Sequence, residues 1–145
     1  MFSEKIVTPE QIALYREQLA DNQEALAALD VLEEWDGDLA DAAESIAKRK
    51  GIQGVETNAD LRWFTQKLKE SQKFVCQPKY ENLRDKYVST LIPVLIDFLA
   101  GSLGCPPGLA GLIATPFALY IAEEGMDQFC KSSNLPTLNS DGDES

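Results

Sequence analysis

The chain has no histidine among its 145 residues. That absence removes the commonest general base, the usual nitrogen ligand of zinc and the side chain that changes charge near neutral pH. Cysteine is scarce. Cys76, Cys105 and Cys130 are the only three, widely spaced, and they form no C-x-x-C pair. Without histidine they make no zinc set, and a nucleophilic cysteine would lack its usual base. The leading segment MFSEKIVTPEQ contains no apolar run of the kind a secretory leader needs. An odd cysteine count behind such a start predicts free, mostly buried thiols in a cytoplasmic protein. Phosphate-binding signatures are missing as well: there is no G-x-x-x-x-G-K and no G-x-G-x-x-G after a strand. The chain contains no internal repeat.

Basic residues are few, 13 against 24 acids, for a net charge of −11. Their distribution is uneven. Residues 1–47 carry twelve acids and two bases, residues 48–86 five acids and ten bases, and residues 87–145 seven acids and one base. The acidic total argues against nucleic acid as a partner. The basic middle, Lys48 to Lys86, interleaves Trp63, Phe64, Phe74, Tyr80 and Tyr87, a mixture that can stack on single-stranded bases. At helical spacing, however, Phe64 and Tyr87 read as core. The basic face is then free to pair with the acidic N-terminal third.

What is present is helix. Thr8, Pro9 and Gln11 form a capping box with proline at the first helical position, and Ile12, Tyr15 and Leu19 follow at helical spacing. A second helix restarts at Asp21 or Asn22, with Glu24 completing a box after Asp21, and runs through Ala25, Ala28, Leu29 and Leu32 to Trp35. Gly37 breaks it and Asp38 caps a third. There Leu39, Ala42, Ala43, Ile46 and Ala47 fall at i, i+3, i+4, i+7 and i+8. Lys48, Arg49 and Lys50 complement the dipole of its last turn, and Gly51 stops it. Asn58 is expected to cap a fourth helix with the stripe Leu61, Phe64, Leu68 and Val75, ended by Pro78. A fifth is expected from Lys79 to Leu103.

From Tyr87 to Ala122 the only charged residue is Asp97. The centre of this stretch, Gly104-Cys105-Pro106-Pro107-Gly108, is a turn signal. The region therefore predicts an apolar helical hairpin with Pro93 and Pro116 inside its arms. Such a hairpin lies in a protein core or in lipid. Each arm falls short of the ~20 apolar residues of a bilayer span, and Asp97 would sit near mid-span. A core hairpin wrapped by the amphipathic helices is the leading expectation. Membrane association, helped by the basic segment before it, is the alternative. Gly101, Gly104, Gly108 and Gly111 are assigned to turn and packing, not to a ligand. The acidic group Glu33, Glu34, Asp36, Asp38, Asp41 and Glu44 lacks the spacing of a calcium loop and reads as helix-start charge. The last segment, SSNLPTLNSDGDES from Ser132, is expected to be a disordered tail.

One family resemblance stands out. Gln23–Gly51 resembles the last two helices of a ubiquitin-associated (UBA-like) domain, carried by Leu29, Leu32, Gly37, Asp38, Leu39, Ala42 and Ile46. Pro9–Ala20 would supply the third helix. The family's Met-Gly-Phe/Tyr loop, central to ubiquitin binding, is replaced by Ala20-Asp21-Asn22-Gln23, so the resemblance implies the fold of that unit without its ligand.

The expectations are therefore an all-α chain with a three-helix unit over 8–50, a helical unit over 58–131 centred on the hairpin 87–122, and a tail over 132–145. The expected function is a non-enzymatic protein-interaction module or small adaptor, with no catalytic residue, metal or cofactor. Trp35 and Trp63 are its expected exposed anchors, since aromatics dominate interface hot spots. A protein partner is expected, and a homo-oligomer through the hairpin is compatible with the sequence. Asp97 is the candidate buried acid, the residue on which catalysis by carboxylates alone would centre; the preferred reading is that it faces solvent or caps a neighbouring helix end.

Overall fold

The Thr8 capping box starts the first helix as its residues dictate. Thr8 Oγ1 accepts from the Gln11 N–H at 3.1 Å, and Gln11 Oε1 accepts from the Thr8 N–H at 2.9 Å. The computed structural model describes residues 5–52, 55, 62–77 and 88–131. Within them lie seven helices: α1 (Pro9–Gln18), α2 (Gln23–Glu34), α3 (Leu39–Arg49), α4 (Trp63–Val75), α5 (Val88–Leu103), α6 (Pro107–Glu124) and α7 (Met126–Lys131). The fold is all-α. Among the described residues the only extended pairing is an isolated antiparallel bridge between Ile6 and Asp38. The expected cap at Asn58, the core position Leu61, the helix start at Lys79, Tyr87 and the tail 132–145 lie outside the described residues.

Caps are set by local chemistry. Asn22, not Asp21, caps α2, its Oδ1 accepting from the Ala25 N–H at 3.0 Å. Asp38 caps α3 through the Asp41 N–H at 3.0 Å. α4 has no cap from its own flank. Glu44, a residue of α3, reaches across to accept from the Phe64 N–H at 3.1 Å. The same carboxylate holds Arg62 at 2.7 Å, which also pairs with Asp41 at 2.7 Å. Arg49 pairs with Glu34, and Arg16 with Asp30 and Glu33. Part of the basic middle thus pairs with the acidic first third, as the charge distribution allows.

α6 is the hub. Eleven of its 18 residues are buried, on all sides of the helix. It packs against α5, α2, α3 and α7, so the two expected helical units share one core. Gly111 permits the approach to α2: a Cβ there would stand 3.3 Å from Glu24 Cβ. Phe117 and Tyr120 extend the core toward α4, with ring centroids 4.7 and 5.9 Å from Phe64. The polar end of α6 is latched to α1. Glu123 accepts from the Tyr15 hydroxyl at 2.6 Å and from Gln11 Nε2 at 3.0 Å. Burial, then Glu123, pushes the Tyr15 phenol far above its ordinary range.

The cysteines depart from expectation. Cys76 and Cys130 form a disulfide, with Cα atoms 5.6 Å apart, and Cys105 alone is a free thiol. The pair is 54 residues apart in sequence. It is brought together because α7 folds back along α6 to the end of α4, a proximity invisible in cysteine spacing. With two of the three thiols bonded, cysteine usage no longer argues for a reducing cytoplasm.

Two predictions follow the backbone and the cross-link. Gly37 has φ +86°, and a Cβ there would lie 2.0 Å from the Val7 carbonyl oxygen. Gly37→Ala is expected to destabilise the fold by more than about 2 kcal/mol in urea denaturation. A 54-residue loop closed by a disulfide is worth about 4 kcal/mol in the chain-entropy account. Reduction with a phosphine should therefore lower the denaturation midpoint, and an unchanged midpoint would show the thiols unpaired in solution.

Candidate functional site

The sequence singles out three residues, and the fold separates them. Trp35 is exposed as expected, at 43% of its full surface. It is the C-cap of α2 and sits on a constrained turn. Its N–H donates to the Val31 and Leu32 carbonyls at 3.2 and 3.1 Å, and the Gly37 N–H donates back to Leu32 at 2.9 Å. Asp36 takes φ 55° between them. Val7 fastens the turn from outside, its N–H donating to the Gly37 carbonyl at 2.9 Å. The indole is thus presented by a backbone with little freedom.

Trp63 is not an exposed anchor. It is 3% exposed, and its ring meets Phe117 of α6 edge-on at 6.3 Å. Glu44 and Arg62 dock the start of α4 on α3, and that docking turns the first residue of the helix inward. Asp97, the candidate buried acid, is not buried: it lies on the exposed face of α5, where Pro93 and Gly101 are exposed too, in keeping with the solvent-facing reading. An apolar neighbourhood in sequence is not burial when only one face of the helix is covered.

Two hollows adjoin these features. A small one of about 260 Å³ lies beside the Trp35 turn, between Val7, Pro9 and Ile12 on one side and Glu33 and Asp36 on the other. A larger cleft of about 580 Å³ opens where the end of α3, the first turns of α4 and the α5–α6 turn converge. Trp63, Leu103 and Leu109 contribute apolar surface to it, and Lys50, Lys67 and Ser102 polar groups. The free thiol Cys105 also lines it, and burial raises that thiol's pKa. Reading by motif missed this cleft, because its lining comes from three separate segments and matches no local pattern. Among the described residues no group of three or more cysteines and carboxylates is placed to hold a metal ion.

Comparison of the chain with protein-family profiles, curated proteins and solved structures gives no match in any of the three. The placements of Trp63 and Asp97 have distinct consequences. Trp63→Ala should cost about 3–5 kcal/mol of stability, as for other buried aromatic truncations. Asp97→Asn should stay within about 0.5 kcal/mol of the parent, as for other exposed changes. Thermal denaturation followed by circular dichroism measures both.

Proposed function

We propose that this chain is a protein-interaction module, without catalysis of its own, that engages its partner through the Trp35 turn. The observation that carries this reading is a large exposed aromatic on a rigid turn. Tryptophan is enriched among interface hot spots, and an anchor already held in place loses little freedom on binding. The neighbouring hollow adds selectivity. Its apolar side, Val7, Pro9 and Ile12, faces the carboxylates Glu33 and Asp36. That combination suits a protein segment with an apolar residue beside a cationic one. Ile6, 57% exposed, flanks the same turn through its bridge to Asp38 and adds apolar surface nearby.

The alternative, a membrane-associated hairpin, draws on the apolar character of α5 and α6 taken together. No single helix among the described residues is long and apolar enough to cross a membrane, and the two arms meet at 117°. Insertion would also require α6 to leave the helices that cover it. That uncovering of α6 is what weighs toward a protein partner.

The test is affinity capture from native extract with the parent and Trp35→Ala. The variant should keep its melting temperature and lose a partner that the parent retains, with binding weakened by about 2 kcal/mol or more, roughly thirtyfold. Equal recovery of every partner by both proteins would sink the assignment.

A further inference from the structure

The larger cleft has a chemistry that the interaction surface does not use. Its volume of about 580 Å³ lies within the range of small-molecule sites, ~300–1,000 Å³. In a chain of net charge −11 its lining among the described residues holds two lysines and no carboxylate. Lys67 is pre-positioned there, its Nζ donating to Ser102 Oγ at 3.3 Å and pairing with the exposed Glu70 at 3.2 Å. Lys50 reaches the rim from the last turn of α3 and is exposed. Below the lysines the surface is apolar: Leu103 and Leu109 are half-buried, and Trp63, the deepest lining residue, is fixed against Phe117. Its described walls are the end of α3 with Gly51 and Ile52, the first turns of α4 and the α5–α6 turn.

We propose that this cleft binds a small organic anion with an apolar body, an aryl or alkyl carboxylate or sulfonate. The two ammonium groups would take the head and the Trp63–Leu103–Leu109 surface the body. A bare inorganic anion would leave the apolar surface unused, and a neutral or cationic amphiphile would leave the lysines unanswered. The proposal is independent of the Trp35 surface, which lies on a different turn.

The probe is 8-anilinonaphthalene-1-sulfonate, titrated into the full, oxidised chain and followed by its fluorescence. Binding should saturate at one molecule per chain. Decanoate should displace it, while decanol and decyltrimethylammonium should not. Lys50→Gln/Lys67→Gln should weaken binding by about tenfold or more, since both charged partners of the head are removed. Ser102→Trp, at an exposed position, should fill the cleft and remove the hydroxyl that receives Lys67 Nζ, and so weaken binding while both lysines remain in the chain. Circular dichroism checks that both variants fold. As an independent readout, saturating probe should slow alkylation of Cys105 by iodoacetamide in the parent. Unsaturable fluorescence, equal binding by the folded double variant, or an unchanged alkylation rate would each overturn the proposal.

Discussion

Everything described here is arranged to cover one helix. α6 is apolar on all sides and carries no charge before Glu123. Left in water it would expose Ile113, Phe117, Leu119, Tyr120 and Ile121 at once. Burying five such side chains contributes on the order of 10 kcal/mol, comparable with the whole net stability of a small domain. The amphipathic helices α2 and α3 supply cover from the N-terminal side, α5 from the other arm of the hairpin, and the aromatic residues of α4 fill the gap beside Phe117. The cover is uneven: α6 is enclosed by the other helices, whereas α5 keeps one face exposed.

Polar groups then decide how the cover is oriented. Hydrophobic burial has no direction, so a bundle of short helices needs specific latches to select one packing. Glu123 fixes the end of α6 to the start of α1 through Tyr15 and Gln11. Glu44 caps α4 while holding Arg62, and so sets where the fourth helix begins relative to the third. These latches sit beside both surfaces of interest. The α1 latch lies on the helix whose first turn borders the hollow next to Trp35. The Glu44–Arg62 latch sets the position of Trp63, and with it the deepest surface of the larger cleft.

The local features were legible in the residues. The Thr8 box, the Asp38 cap, the Gly51 stop and the stripe from Leu39 to Ala47 all depend on interactions within four residues, and each takes its expected form. The existence of the hairpin was legible for the same reason, since composition and a Pro-Pro turn are local. What escaped is non-local. Cys76 meets Cys130 only because of how α7 returns along α6. Trp63 is buried by a carboxylate from another helix. Asp97 faces water because α5 is covered on one side; the sequence favoured that reading but left burial open, since its neighbours are uniformly apolar. Of the two expected anchors, only Trp35 keeps its expected environment, because a glycine-broken turn places its own side chain. Within that same helix–turn–helix, the buried leucines and alanines of α2 and α3 serve as core against α6.

The small helix α7 shows what the non-local bonds achieve. Six residues are far too few for a helix to persist alone in water. Among the ties that hold it are the Cys76–Cys130 bond, Phe129 buried against the ring of Tyr120 at 6.5 Å, and the Phe129 carbonyl accepting from Gln72 Nε2. Gln72 is itself 2% exposed, and its Oε1 is buried without a hydrogen-bond partner. An unsatisfied buried acceptor costs about 1–3 kcal/mol, as much as one ordinary hydrogen bond returns or more. The amide contact alone therefore cannot hold α7 in place. The burial of Phe129 and the covalent cross-link offset that cost. Because the disulfide also closes the end of α4, it couples the stability of the last helix to the wall on which Trp63 and Lys67 stand.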